Sequence, residues 1–305
     1  MMKRKVYLLF FVAMTLLLQG CGGAEKNSGK ATIVVSLEPQ KYFLDKIVGD
    51  KMSVICLLKN GANPENYEPS MNDLMTLERS VGYIKMGNVG FEQVLVEKLA
   101  QNNKSLMVYD SSQGIDFIMG THDCCEHDHG HFHEHSQDEE EHNHVATADP
   151  HTWTSVKNAK VIAHNMLDVV VAIDSMNKEF YQANYDKLSD SLDSLDSYAA
   201  TKLASSQGEA FLVWHPSLSY FARDYGLEQI TIGQIGKELS AKQLQEQIYN
   251  ARNHNARVFF FQKEFDSQQA SVLNDQIGAT MITINPLSYE WEAEIRRIVD
   301  AIASK

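Results

Sequence analysis

Proline is scarce in this chain, with six in 305 residues, and between Pro150 and Gly208 there is neither proline nor glycine. A span that long without a breaker excludes a turn-rich fold there and asks for extended helices. Long apolar runs are missing too: Val6 to Leu18, near the start, is too short to span a membrane comfortably. Basic residues are outnumbered, 27 against 40 acidic ones, for a net charge of −13. No basic stripe appears, which excludes the electrostatic footprint of a nucleic-acid partner. Eight of the negative charges sit in one short run, so the remainder is only mildly acidic. A chain of this length can hold two domains, each with its own core.

The first residues read as a processing signal and do not belong to the fold. Lys3, Arg4 and Lys5 precede the apolar run, which ends in Leu18-Gln19-Gly20-Cys21. That ending resembles a bacterial lipoprotein cleavage box, and the resemblance implies that Cys21 becomes the first residue and carries the lipid. An ordinary secretory signal is the alternative, and both export the chain. Residues 22–30 have the composition of a flexible tether. Of the other three cysteines, Cys56 lies in an apolar, strand-like run and reads as a buried thiol. Cys124 and Cys125 are neighbours that either pair or join a metal.

They belong to the most unusual stretch, Thr121 to Trp153, which holds nine of the twelve histidines. Between His122 and His144 there are eight histidines (His122, His127, His129, His131, His133, His135, His142 and His144), eight acidic residues and no Lys or Arg. Imidazole, carboxylate and thiolate are the side chains that ligate transition metals. Imidazoles with a pKa near 6.5 are largely neutral at pH 7 and available as ligands. The run is expected to collect metal loosely, while a separate site that includes His151 holds it tightly. Residues 131–135 also spell H-x-x-E-H, a metallopeptidase pattern, but no apolar helical stripe surrounds them.

From Ala31 onward strand and helix alternate. Strands are expected at 32–37, 52–58, 81–86 and 106–108, with helices at 39–48, from Ser70 and at 91–100. Ser70 and Asp73 have capping-box spacing. Val156 to Ile173 is apolar nearly all round and should be buried. Tyr181, Tyr185, Leu188, Leu192, Leu195, Ala199 and Leu203 then step by three or four. The second half repeats the alternation, with strands at 210–214, 229–232, 257–261 and 280–284 and helices at 217–224, 242–252, 267–277 and from about 289. The fold class expected is α/β: two lobes, each a parallel sheet flanked by helices, joined by a long rigid helix. The lobes run over 31–175, with the histidine-rich loop at 121–147, and over 208–305; the joining helix covers 176–207.

In open α/β sheets ligands bind beyond the carboxyl ends of the strands. Four prolines touch a potential ligand, Pro64-Glu65, Pro150-His151, His215-Pro216 and Asn285-Pro286, and all of these pairs but Pro150-His151 close an apolar strand. Proline stops the strand and fixes the local backbone, which lowers the entropy lost when a metal orders the residue. Two groups from each half would face one another across a cleft. Gly61-Ala-Asn-Pro-Glu-Asn-Tyr-Glu-Pro-Ser, Asp149-Pro-His-Thr-Trp, His215-Pro-Ser-Leu-Ser-Tyr-Phe and Asn285-Pro-Leu resemble the ligand motifs of the zinc/manganese substrate-binding proteins of ABC importers, the ZnuA and TroA types.

The resemblance implies a tight site of Glu65, His151, His215 and Asn285, with no catalytic role. The family usually has histidine where this chain has Glu65 and aspartate where it has Asn285. A neutral amide is a weak ligand, so water, Glu68 or Glu264 are alternatives for the fourth position. Two imidazoles and a carboxylate suit Zn²⁺, with Mn²⁺ the alternative. The partners implied are an ABC permease and its ATPase, reached by a monomer lipid-anchored at the periplasmic face of a bacterial membrane. The rival readings are a zinc buffer or chaperone with no permease and a zinc hydrolase.

Overall fold

A computed structural model describes residues 29–304, apart from 60, 103–105, 121–146, 234–239, 264 and 266. Cys21, Cys124, Cys125, Glu264 and the eight histidines of the run therefore lie outside the described residues.

Two four-stranded parallel sheets carry the structure. The first is built from β1 (Thr32–Val35), β2 (Ser53–Cys56), β3 (Gly82–Lys85) and β4 (Val108–Asp110), in the order β2-β1-β3-β4. Its helices are α1 (Glu38–Val48), α2 (Met71–Glu78) and α3 (Gly90–Asn102). A two-residue antiparallel ladder of β5 (Met119–Gly120) and β6 (Thr147–Ala148) follows, then α4 (Val156–Ile173) and α5 (Lys178–Leu203). The second sheet uses β7 (Ala210–Val213), β8 (Glu228–Thr231), β9 (Val258–Gln262) and β10 (Thr280–Ile284), in the order β10-β9-β7-β8. It is accompanied by α6 (Ser219–Tyr225), α7 (Ala241–Asn253), α8 (Ser267–Ile277) and α9 (Trp291–Ala303). Read from its second strand, each sheet has the order second, first, third, fourth. Both lobes thus have a switch point between their first and third strands, where the connections leave in opposite directions.

The central strands read as unbroken apolar runs because both their faces are covered. Ile33, Val34 and Val35 in β1 and Phe211, Leu212 and Val213 in β7 are fully buried. Aromatic packing closes the second sheet, with Phe211 edge-on to Phe260 at a centroid distance of 5.6 Å. In α9 the buried positions Trp291, Ile295, Ile298, Val299 and Ile302 repeat at helical spacing. The capping box at α2 forms as expected: the Asp73 N–H donates to Ser70 Oγ (3.3 Å) and the Ser70 N–H to Asp73 Oδ2 (2.8 Å).

The joining helix α5 has 26 residues and spans about 39 Å at 1.5 Å per residue. Its stripe of Tyr181, Leu188, Leu192, Leu195, Ala199 and Leu203 is buried and packs on α1 and α4 of the first lobe and on α9. Thr32–Lys305 forms one compact unit, so the sheets do not separate as independent bodies. Two local expectations need correcting. The α4 helix is buried on one face only, because Lys157, His164 and Asp168 point to solvent. The fourth strand begins at Val108 rather than Leu106. The β5–β6 ladder has no counterpart in the sequence reading; two rungs are too few to leave a pattern.

The switch point of the first sheet is filled by the protein itself. Glu92, fully buried, accepts the N–H of Met86 (2.6 Å) and of Gly87 (2.9 Å), and the Ser36 hydroxyl. Burial pushes this carboxyl pKa up, although each of those bonds favours the charged form. Only glycine fits at Gly87, where φ is +134° and a Cβ would stand 2.2 Å from Ser112 Oγ. Cys56, on β2, is partly buried; its thiol donates to Leu58 O (3.2 Å), and burial with nearby Glu38 pushes its pKa well up.

At the end of β4, Asp110 pairs with Lys85 at 2.5 Å. Burial favours the neutral acid, but the bonds from Lys85 and Ser112 outweigh it and hold the Asp110 pKa below the usual carboxylate value. A depressed folded-state pKa stabilises above the unfolded value near about 3.9, and that stability is lost as pH falls through the folded value. Asp110→Asn is therefore expected to flatten the fall of the urea midpoint below about pH 4, measured by circular dichroism; an unchanged slope would refute the assignment.

Candidate metal centre

Three of the four expected ligands meet. His215 lies two residues beyond the carboxyl end of β7, beside the switch point of the second sheet. Gln262, the last residue of β9, fixes it there: its amide donates to His215 O and Ser217 Oγ, both at 2.7 Å, while its carbonyl accepts the His215 N–H (3.3 Å). His151 arrives from the first lobe, between β6 and the 3-10 turn Thr152–Thr154. Its Nε2 stands 3.0 Å from His215 Nε2, with ring centroids 4.9 Å apart. Glu65, in the loop between β2 and α2, brings Oε1 to 3.3 Å from His215 Nε2. That loop is pinned by Asn63 Oδ1, which accepts the Glu65 N–H (2.9 Å), and by Tyr67 against Phe91 at 4.8 Å.

Burial differs across the trio. The two imidazoles are 5% and 6% exposed at the side chain, whereas the Glu65 carboxylate is 35% exposed. Glu65 therefore forms the solvent side and the histidines the floor. Pro64, Trp153, Phe265, Pro286 and Leu287 supply apolar walls. Such a shell keeps the local dielectric low and strengthens the attraction of a cation for its ligands.

The protonation pattern follows from one further residue. His151 Nδ1 is 2.8 Å from Asp149 Oδ1, which also accepts the His151 backbone N–H at 2.9 Å. An ionised carboxylate only accepts, so Nδ1 carries the proton and Nε2 presents a lone pair to His215. Burial works to raise the Asp149 pKa, but the hydrogen bonds from the His151 ring and backbone N–H win and hold it below its usual value. Around His215 Nε2 there are then a second ring nitrogen lone pair and a carboxylate. A single proton there satisfies them poorly; a dication satisfies all of them. For metal–ligand bonds of 2.0–2.2 Å, tetrahedral ligand atoms lie about 3.3–3.6 Å apart. The 3.3 Å between Glu65 Oε1 and His215 Nε2 fits an edge of that figure, and the 3.0 Å between the two ring nitrogens is shorter than one. Among the described residues no three such groups already surround one point.

Asn285 is placed differently. Its amide oxygen accepts the Leu287 N–H (3.2 Å) within its own turn, and its N–H donates to Glu294 Oε1 (2.6 Å). The residues that this segment delivers to the cavity are Pro286 and Leu287. Glu68 is exposed and does not line it. His164 is exposed on α4, 3.9 Å from Asp168. His254 is an exposed helix-end residue 3.0 Å from Glu228. The sequence reading quoted Asp149 within a motif but gave it no role; a carboxylate two residues before a ligand histidine, across a proline, was the signal.

Residues 33–304 match the family described as ZnuA, zinc-uptake complex component A, periplasmic. The high-affinity zinc uptake system protein ZnuA of Bacillus subtilis (strain 168) is 28% identical over 295 residues, covering 94% of this chain and 90% of that protein. A crystal structure of ZnuA is similar with a TM-score of 0.77 at 30% identity, over 90% of this chain and 98% of that one. A zinc-bound internal-deletion mutant of ZnuA gives 0.76 at 31% identity, over 90% and 97%.

Asp149→Asn replaces a carboxylate with a weaker, neutral acceptor and loosens the His151 tautomer. Losses of about 10–100-fold in metal affinity are typical when such a partner is removed. The expected outcome is a drop of about tenfold or more in a chelator-competition titration, with the far-ultraviolet circular dichroism of the metal-free protein unchanged; unaltered affinity would remove Asp149 from the site.

Proposed function

As this chain belongs to the ZnuA family of zinc-uptake components, we propose that it captures Zn²⁺ outside the cell membrane and hands it to an ABC-type importer. The observation that carries this reading is the 3.0 Å approach of two buried imidazole nitrogens from opposite lobes, with a carboxylate beside them. Zn²⁺ is cargo, held by His151, His215 and Glu65. The fourth position goes to water or to Asn285, once its amide turns away from Leu287. Nitrogen-rich coordination favours zinc over manganese in the affinity order. The carboxylate of Glu65 keeps manganese as the second reading.

The chain acts as a binding protein rather than an enzyme, a reading that its zinc-uptake family supports. The eight histidines of residues 122–144 serve as an accessory, weaker zinc store that feeds the tight site. A lipid on Cys21 holds the monomer at the periplasmic face, near its permease and ATPase. Protons compete with the ion at both imidazoles, so capture weakens below about pH 6. Because the lobes form one compact unit, release requires local movement, and the exposed Glu65 loop is the element best placed to make it.

Metal content of the purified protein, measured by mass spectrometry, is expected to be one tightly held zinc, lost in the doubly substituted His151→Ala, His215→Ala protein. Manganese in its place would select the second reading, and an equal zinc content in the double variant would sink both. Deleting residues 122–144 should lower the number of weakly bound ions and spare the tight one. Zinc at about 100 times its dissociation constant should stabilise the protein by about 2.7 kcal/mol, seen as a raised melting temperature.

A further inference from the structure

The chain enters His151 through the β5–β6 ladder, and the last rung of that ladder is irregular. Met119 pairs with Ala148 and Gly120 with Thr147, so Ile118 lies opposite Asp149. In a regular antiparallel pair, two such residues exchange both of their N–H···O bonds. Here only one is direct: the Asp149 N–H donates to Ile118 O at 2.8 Å. The other is replaced by a hydroxyl. Ile118 N–H donates to the Tyr220 oxygen (3.2 Å), and the same hydroxyl donates to Asp149 O (2.7 Å).

Tyr220 is fully buried and sits on α6, five residues after His215. The phenol that opens the rung leading to one histidine therefore belongs to the segment carrying the other. A neighbouring contact holds the same seam: Arg223, also on α6, lies over the Tyr220 ring (5.1 Å) and donates to Asp116 O at 2.9 Å.

We infer that Tyr220 is a positioning residue: its hydroxyl, inserted between Ile118 and Asp149, sets the separation of His151 from His215. Without the hydroxyl the direct Ile118–Asp149 bond can close. The carbonyl of Asp149 then moves toward Ile118, and with it the carboxylate that orients His151 and the turn through Pro150. Geometry in metal sites is set within tenths of an ångström, so a displacement of this kind weakens binding without unfolding the lobe.

The test compares Tyr220→Phe with Tyr225→Phe. Tyr225 is on the same helix, and its hydroxyl bonds to Asp196 Oδ1 at 3.0 Å, away from the ladder. Each variant loses one hydroxyl from α6, so a merely structural effect would be similar in both. Two readouts are taken: nitrogen and proton chemical shifts of the His151 and His215 rings in metal-free protein, and zinc affinity by chelator competition. Tyr220→Phe is expected to move the His151 ring resonances and weaken zinc binding about tenfold, while Tyr225→Phe leaves both as in the parent. Equal effects of the two variants, or unmoved His151 resonances in Tyr220→Phe, overturn the inference. The affinity arm rests on the zinc reading above, whereas the resonance arm does not. A parent protein that takes no zinc would defeat that reading and leave the ring shifts to decide the role of Tyr220.

Discussion

Two imidazole nitrogens held 3.0 Å apart, from segments 64 residues apart in sequence, are the constraint on which the rest of the structure depends. Each ring would rather be solvated or donate to an oxygen. Bringing two nitrogen lone pairs together in a nearly dry place costs free energy unless a proton or a cation lies between them. The surrounding structure is consequently rigid where it touches them. Gln262 makes three bonds to the His215 segment, and Asp149 makes two to His151. The indoles complete the frame: Trp153 Nε1 donates to Pro286 O (2.9 Å), and Trp291 Nε1 donates to Trp153 O (2.8 Å). These bonds tie the His151 segment to the loop after β10 and to the start of α9.

The same frame explains why the joining helix is long and amphipathic. A binding site built across two sheets needs a fixed distance between them. A single helix packed on α1, α4 and α9 supplies it, with no glycine or proline at which it could bend. The Glu65 loop carries the most exposed member of the trio. It is held by the side-chain turn at Asn63, by Tyr67 against Phe91, and by the Tyr67 hydroxyl, which bonds to Leu57 O (3.3 Å) and Asp73 Oδ2 (3.0 Å).

Much of this was legible in the chain. Strand and helix alternation, the long stripe from Tyr181 to Leu203 and the strand-ending prolines are periodic or punctuated signals, and they located β7, β10, α4, α8 and the joining helix well. His215 and Glu65 were marked by the strands they follow, and His151 by the proline and the histidine-rich run before it. What stayed hidden depends on pairing between distant residues. The β5–β6 ladder has two rungs, separated in sequence by the whole histidine-rich run. The role of Asp149 depends on which nitrogen of His151 faces it. The amide of Asn285 turns to Leu287, a local choice between two acceptors that no pattern encodes. The α4 helix looked apolar all round because Val161, Val169 and Val171 occupy half-exposed positions and Ala172 an exposed one.

The two sheets share one strand order, and each offers a crevice at the place where its connections diverge. In the first, that crevice is stoppered by the carboxyl of Glu92 with its ring of backbone and hydroxyl donors; in the second, it opens onto His215. Among the described residues a doubled architecture is thereby left with two unlike crevices. The vacancy that symmetry would have provided in the first lobe is taken up by an internal side chain.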